Sequence, residues 1–184
     1  MILMMKIRFM SFPRFFISAI LLLVISACSE PNADGNKSIS LHVYKQASCK
    51  CCGKWVGQME MSGFDVNVKN LQSLTPIKSK YGIRSLHQSC HTAVAEGFVF
   101  EGHIPAEVIK RFLDNKPEHA IGLSVPGMPI GSPGMEMGSR TETYNVLQLN
   151  SDGSTQVYAR VTGNNVLSYE NETTKDIYVR SDGA

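Results

Sequence analysis

Charge is sparse in this sequence, and no strongly basic region stands out. The 184 residues include 18 basic and 16 acidic side chains, and 18 % of the chain is charged. Proteins that bind nucleic acid through its phosphates carry a basic patch or stripe. We therefore expect no nucleic-acid partner. The sequence also contains no combination of serine and carboxylate residues that indicates a hydrolase.

The chain lacks an apolar run long enough to cross a membrane as a helix. The N-terminal apolar run covers residues 15–25, whereas a spanning helix needs ~18–20 residues. Lys6, Arg8 and Arg14 lie before this run, and residues 1–27 contain no acidic side chain. A basic start, a short apolar run and small residues at its end predict a secretory signal over residues 1–27.

The end of this signal reads Ile25-Ser26-Ala27-Cys28, which resembles the lipobox of bacterial lipoproteins. The resemblance implies that Cys28 is lipidated and becomes the mature N-terminus. Ser29 resembles the residue that permits transfer to the outer membrane of a Gram-negative bacterium. A plain signal peptide or a retained anchor is the alternative. Residues 28–37 are polar and predict a flexible tether.

Removal of the signal changes the composition. Fifteen basic and sixteen acidic side chains remain, a net charge of −1. The mature chain of about 155 residues suits one domain with an extension. Four cysteines remain after Cys28, and disulfides form readily outside the cytoplasm, so two structural disulfides are one interpretation. Against it, three of the four lie so close together that pairing them would close almost no loop.

These three cysteines, Cys49, Cys51 and Cys52, lie between a predicted strand and a predicted helix. Thiolates at a helix N-terminus face unpaired backbone N–H groups and the positive end of the helix dipole. Both favour the ionised sulfur, which binds soft metals and attacks disulfides. We therefore expect the working site at this loop.

Strands and helices alternate over residues 38–116. Alternating apolar residues predict strands at 38–44, 64–68, 92–95 and 98–100. Helical spacing predicts helices at about 53–62, at 75–82 with Thr75 as cap and Pro76 in the first turn, and at about 105–113. Strands mixed with helices indicate an α/β layered domain. The order β-α-β-α-β-β-α resembles that of thioredoxin-like domains.

The thioredoxin-like resemblance implies that the loop before the third strand lies beside the cysteines. A cis-proline occupies this loop in thioredoxins, but residues 86–92 contain no proline and instead contain Cys90 and His91. We expect Cys90 to add a fourth sulfur to the site. That arrangement favours a metal site over a general reductase.

A Gly/Pro/Met-rich stretch begins the predicted C-terminal extension, residues 117–160. Its glycines and prolines at 122–137 exclude a regular helix or a central strand. Two Pro-Gly-Met units contain Met128 and Met135, whose thioethers suit Cu(I), although both could instead be apolar plugs over the core. Residues 144–149 and 155–159 predict a closing β-hairpin. The polar tail, residues 161–184, stays unassigned.

Five ordered motifs occur along the chain: Val43-Tyr44-Lys45, Cys49-Lys50-Cys51-Cys52-Gly53-Lys54-Trp55-Val56, Ser89-Cys90-His91-Thr92-Ala93, Glu101-Gly102-His103-Ile104-Pro105-Ala106, and residues 125–136. Together they resemble the CopG-type copper-resistance family, also known as a domain of unknown function. The resemblance implies a thioredoxin-like domain whose extension helps bind a sulfur-bridged copper cluster. It also implies interconversion of Cu(I) and Cu(II) in the periplasm, beside components of copper efflux.

The sequence therefore predicts a monomeric, lipid-anchored periplasmic copper protein with Cu(I)/Cu(II) as cofactor, and a copper oxidoreductase is one form of it. The expected ligands are Cys49, Cys51, Cys52, Cys90, His91, Met128 and Met135. Soft sulfur donors select Cu(I) over Mg or Ca and compete well with Zn.

Two other functions stay open at this point. Cys49 and Cys52 have the Cys-x-x-Cys spacing of thiol–disulfide oxidoreductases. A structural zinc site also accepts cysteine and histidine ligands. His103 matches a family motif, but helix capping or hydrogen bonding explains it equally well. The remaining histidines are expected to be solvated or structural: His42, His87 and His119.

Overall fold

The structure is a computed structural model, and it describes residues 38–170. The predicted signal, Cys28 and the whole of the predicted tether lie outside the described residues, as do residues 171–184. No helix within residues 38–170 is long and apolar enough to cross a membrane.

Three α-helices and eight strands form the described part of the chain. The helices are α1 (Lys50–Met61), α2 (Thr75–Lys80) and α3 (Ala106–Asn115), with a 3₁₀ turn at Ser85–His87. The strands are β1 (Ser40–Lys45), β2 (Asp65–Asn70), β3 (His91–Ala95), β4 (Phe98–Glu101), β5 (Ala120–Ser124), β6 (Thr143–Asn150), β7 (Thr155–Thr162) and β8 (Asn165–Tyr169).

All eight strands belong to one mixed sheet with the order β2-β1-β3-β4-β5-β6-β7-β8. The pairs β1–β2 and β4–β5 are parallel and the others are antiparallel. The prediction of a mixed α/β fold is confirmed, and the elements through α3 follow the predicted order. Lys45 at the end of β1 pairs with His91 at the start of β3. The two loops that carry the cysteines, one after β1 and one before β3, therefore lie at the same end of these strands.

One apolar cluster joins α1 and α3 to the sheet. Trp55 and Met59 of α1 lie on one helix face because they are four residues apart, and both are buried. Phe112 of α3 contacts Phe100 of β4 with ring centroids 5.6 Å apart. Val146 of β6 belongs to the same cluster. The core therefore runs from the predicted first domain into the predicted extension.

The cysteine helix begins earlier than the sequence predicts. We expected it to begin at about Gly53, but α1 begins at Lys50, so Cys51 and Cys52 lie in its first turn. The Cys49 sulfur accepts a hydrogen bond from the Cys52 N–H at 3.4 Å and thereby caps the helix. Thr75, which we expected to cap α2, instead lies inside it; the N-cap residue is Leu74, which makes no side-chain capping hydrogen bond.

The expectation that residues 122–137 exclude a central strand is wrong for residues 122–124. They belong to β5, which lies between β4 and β6 in the sheet. Gly122 has a φ of +154°, and a Cβ on it would collide with the Val99 backbone of β4. Glycine therefore allows this close strand pairing where it usually weakens a strand. Pro126 follows only after the strand has ended.

The residues after β5 contain the predicted hairpin and a further strand that the sequence did not indicate. Strands β6 and β7 pair antiparallel, which confirms the hairpin. The chain then turns at Gly163, whose φ is +59°, and β8 pairs with β7. Apolar and polar residues alternate only weakly along β8, because most of its side chains are exposed at the edge of the sheet. Residues 165–169 of the unassigned tail are thus a strand.

Candidate metal centre

The four cysteines after Cys28 come together at the end of the sheet where β1 ends and β3 begins. Cys49 caps α1, Cys51 and Cys52 lie in its first turn, and Cys90 directly precedes β3. Their four sulfur atoms all lie within 4.8 Å of one another. Cys52 is fully buried and the other three are partly exposed. The structure therefore places a compact group of soft donors where the sequence predicts it.

Two of these sulfurs form a disulfide, between Cys49 and Cys52, with their Cα atoms 5.4 Å apart. Cys51 and Cys90 are free thiols. The Cys51 sulfur lies 3.5 Å from that of Cys49, and the Cys90 sulfur lies 3.4 Å from that of Cys52. Each disulfide sulfur therefore has a free thiol beside it. Two electrons and two protons convert this form into four thiols.

Cys90 is held as a neutral thiol in this form. The pKa of Cys90 is raised to about 12, first by burial and then by the nearby Cys51 sulfur. Metal ligation requires the thiolate, so a metal ion that binds Cys90 must displace this proton. Binding should therefore release protons.

His103 is a candidate ligand that the prediction did not include. Its Nε2 lies 2.9 Å from the Cys90 sulfur, and its Nδ1 lies 2.8 Å from the Pro133 carbonyl oxygen. A carbonyl only accepts, so Nδ1 carries the proton and Nε2 directs its lone pair at the sulfur. Histidine ligands commonly donate their second N–H to a carbonyl in this way. The family motif around His103 was the only sequence signal for it.

His91, a predicted ligand, lies beside the Cys90 sulfur and is completely buried. Its Nδ1 is 3.5 Å from the Cys90 sulfur, and its ring contacts Trp55 and His103. Its Nε2 has no hydrogen-bond partner among residues 38–170. Cys90, His91 and His103 also form a second group of close donor atoms. A buried, unpaired ring nitrogen is costly, and a bound ion is one feature that would explain it.

Burial also holds His91 in its neutral form. Burial, followed by the charges of His103 and Lys78, places the pKa of His91 well below its ordinary value. The neutral imidazole is the form that binds metals. Burial lowers the pKa of His103 as well, against the opposing effect of the Pro133 carbonyl.

We expect His91 to make the copper-free protein less stable as the pH falls below about 6.5. In that range the unfolded chain binds a proton at His91 and the folded chain does not, so the free energy of unfolding decreases. His91→Phe and His91→Gln remove this titration. Relative to either variant, the parent should lose up to ~1.4 kcal/mol per pH unit below the ordinary histidine pKa.

Urea denaturation of the copper-free proteins at pH 7.5, 6.5 and 5.5 measures this difference. The two variants pack differently but neither titrates, so both should show the same flatter pH dependence. Glu101 acts in the opposite direction because burial raises its pKa, and the comparison cancels its contribution. A parent that parallels both variants would contradict the neutral, buried His91.

The Gly/Pro/Met-rich stretch contacts the first turn of α1. A Cβ on Gly134 would lie 2.6 Å from the Cys51 carbonyl oxygen and 2.8 Å from the Trp55 nitrogen. Glu136 accepts hydrogen bonds from the Gln58 side chain of α1 at 2.6 Å and from the Gly134 N–H at 2.8 Å. This contact places residues 133–136 beside the cysteines.

The two predicted methionine ligands are placed differently. Met135 follows Gly134 and is partly buried, whereas Met128 is half exposed. Cys28, the predicted lipidation site, lies outside the described residues. The assignment of the methionines as ligands stays a prediction.

A cleft of about 310 Å³ leads from solvent to the sulfurs. Cys49 and Cys90 are among its lining residues, and most of the others are uncharged polar side chains, among them Gln46, Gln72 and Gln88. A small ion or thiol therefore has a route to two of the four cysteines.

Two solved structures share this arrangement of helices and strands. Both are of a protein named copper resistance protein CopG, in a form 2 and a form 1, and they are 36 % and 37 % identical to this chain. The TM-scores are 0.65 and 0.64, and the matches cover 68 % of this chain and 99 % and 98 % of those chains. The chain belongs to the CopG family. The resemblance that its motifs show is thereby confirmed.

Two further comparisons complete this result. A family model for proteins of unknown function, DUF411, matches residues 87–135, which include Cys90, His103 and Met135. A comparison with curated proteins finds no match. Membership of the CopG family, together with the cysteine cluster, supports a copper-related role in resistance.

Proposed function

We propose that this protein binds copper in the periplasm through Cys49, Cys51, Cys52 and Cys90 and interconverts Cu(I) and Cu(II) as part of copper resistance. The observation that carries this proposal is the convergence of four cysteine sulfurs from two loops within 4.8 Å. His91 and His103 complete the donor set on the buried side, and Met128 and Met135 complete it on the side of the extension.

The residues present fit copper better than a hard cation. Thiolates, thioethers and imidazoles are soft or intermediate donors, which copper prefers over the oxygen donors that Mg and Ca require. Neighbouring sulfurs such as Cys51 and Cys52 can each bridge two ions, which favours a sulfur-bridged cluster over one tetrahedral zinc site. When bound, copper supplies one-electron redox chemistry. The chain holds the donors in place and excludes water from the buried side.

The Cys49–Cys52 disulfide must be reduced before all four sulfurs can bind copper. A dithiol of matching potential can supply the two electrons and two protons and is itself oxidised to a disulfide. Cys49 is the disulfide sulfur that lines the cleft. A thiolate reductant would therefore attack Cys49 and release Cys52 as the leaving group.

The proposal also assigns separate roles to two parts of the chain. We infer that residues 38–116 form a thioredoxin-like domain and that residues 117–160 form a metal-binding extension. The predicted order of elements and the position of Cys90 beside the helix start support the first inference. The contacts of Gly134 with α1 and of Pro133 with His103 support the second.

The same proposal assigns the protein's location. A lipid on Cys28 would anchor the protein to the outer membrane as a monomer, and residues 28–37 would serve as the tether. From there it would act beside components of copper efflux. The sequence motif at residues 25–28 supports this assignment.

A thiol–disulfide oxidoreductase is the second candidate function. The disulfide joins Cys49 and Cys52 at a helix start, which is the arrangement such enzymes use. In this alternative Cys51 and Cys90 are dispensable.

Metal analysis of the reduced, anaerobic protein tests the copper proposal. Incubated with equal amounts of Cu(I) and Zn, the full chain should retain copper in preference and hold more than one ion per chain. Copper loading should also protect all four cysteines of the cluster from alkylation. Preferential zinc retention at one ion per chain, or unprotected cysteines, would contradict the proposal.

A further inference from the structure

A buried ion pair lies directly behind the loop that carries Cys90. Lys78 of α2 is 5 % exposed, Glu101 at the end of β4 is fully buried, and the two side chains form a salt bridge. Neither residue belongs to the donor set described above.

Both charged groups bind the backbone on the N-terminal side of Cys90. Glu101 Oε1 accepts from the Ser89 N–H at 2.6 Å, and the Lys78 ammonium donates to the Ser89 carbonyl at 3.0 Å. The backbone N–H and the backbone carbonyl of Ser89 are therefore each hydrogen-bonded to a charged side chain. Hydrogen bonds to charged groups are roughly twice as strong as those between neutral groups.

The same pair binds the chain on the C-terminal side of Cys90. The Thr92 hydroxyl donates to Glu101 Oε2 at 2.6 Å and accepts from the Lys78 ammonium at 3.3 Å. All three ammonium protons and both carboxylate oxygens are thus used. The loop is further held by the Gly102 N–H, which donates to the His91 carbonyl at 3.0 Å.

Stability alone does not explain this pair. Moving two charges out of water costs free energy, and a well-packed apolar pair at such a place is often equally stable. The charged pair instead fixes the orientation of the loop, because its hydrogen bonds form only when Ser89 and Thr92 are in one arrangement. Cys90 and His91 lie between them in the chain, and the Cys90 sulfur must reach the sulfurs of a different loop.

We propose that Lys78 and Glu101 are positioning residues for Cys90. The ion pair holds Ser89 and Thr92 so that the Cys90 sulfur stays 3.4 Å from that of Cys52. That this positioning aids copper binding rests on the proposed function, whereas the positioning of Cys90 itself does not. The two can be tested separately.

The positioning is tested without copper. In the full chain with Cys28, Cys49 and Cys51 replaced by serine, Cys52 and Cys90 are the two cysteines left. A glutathione redox buffer then measures the effective molarity with which these two form a disulfide, which requires close and directed sulfurs. Lys78→Met and Glu101→Gln should each lower this value by roughly tenfold to a hundredfold.

Matched variants separate positioning from general destabilisation. Thr92→Val keeps the side-chain shape but loses the hydroxyl, so it should lower the effective molarity. Thr92→Ser keeps the hydroxyl, so its effective molarity should match that of the parent. Val161→Ala removes core volume on β7, four strands from β3 in the sheet. This variant should lose thermal stability without a change in effective molarity.

An unchanged effective molarity in Lys78→Met and Glu101→Gln, with only a lower melting temperature, would overturn the positioning role. Copper titration of the same two substitutions in the chain with all five cysteines is a separate measurement. Reduced disulfide formation with unchanged copper binding would support the positioning role and contradict Cys90 as a copper ligand.

Discussion

Replacement of Cys90 by serine should remove most of the bound copper while leaving the protein folded. The serine hydroxyl can still donate to His103 Nε2, which now lies 2.9 Å from the sulfur. The charged sulfur donor, however, is lost. Cu(I) affinity should fall by more than the ~10–100-fold that loss of an outer-shell partner causes. Competition with a Cu(I) chelator under anaerobic conditions measures the change.

Cys28→Ser provides the matched control for this substitution. It makes the same chemical change outside the cluster and should retain full copper binding. Disulfide exchange by Cys49 and Cys52 should persist in Cys90→Ser if the protein is an oxidoreductase that does not need Cys90. Full copper retention in Cys90→Ser would remove this residue from the ligand set and leave the oxidoreductase as the better hypothesis.

The second large effect is expected at Gly134, where the extension contacts α1. Gly134 has a φ of +85°, and a Cβ would lie 2.6 Å from the Cys51 carbonyl oxygen. Gly134→Ala must therefore move either residues 133–136 or the first turn of α1. We expect weaker Cu(I) binding and a lower free energy of unfolding, measured by chelator competition and urea denaturation.

Gly127→Ala is the matched control, because Gly127 occupies the same place in the other Pro-Gly-Met unit. Its φ is +69°, but a Cβ there would contact nothing within 4 Å. Both variants pay the cost of a left-handed alanine, about 1–2 kcal/mol. Only Gly134→Ala adds the collision with α1. A Cu(I) affinity of Gly134→Ala equal to that of the parent protein would contradict a role for residues 133–136 in the metal site.

Local patterns in the sequence were enough to predict most elements and part of the site. Alternation and helical spacing gave the order from β1 to α3, and the hairpin of β6 and β7 followed from turn residues and alternation. Gly122 shows the limit of such reasoning. A glycine that weakens an isolated strand permits β5 to approach Val99 of β4, and only the neighbouring strand reveals this benefit.

The sequence by itself determined the mixed α/β fold, the cysteines at a helix start and the CopG family. These features depend on residues that are close in the chain or on ordered motifs. The tertiary structure alone decided that His103 directs Nε2 at Cys90 and that Lys78 pairs with Glu101. In both cases the hydrogen bonds join residues far apart in the chain: His103 is 13 positions from Cys90 and 30 from Pro133, and Lys78 is 23 from Glu101. Such bonds arise from strand pairing and burial, which bring distant polar groups together where water cannot satisfy them.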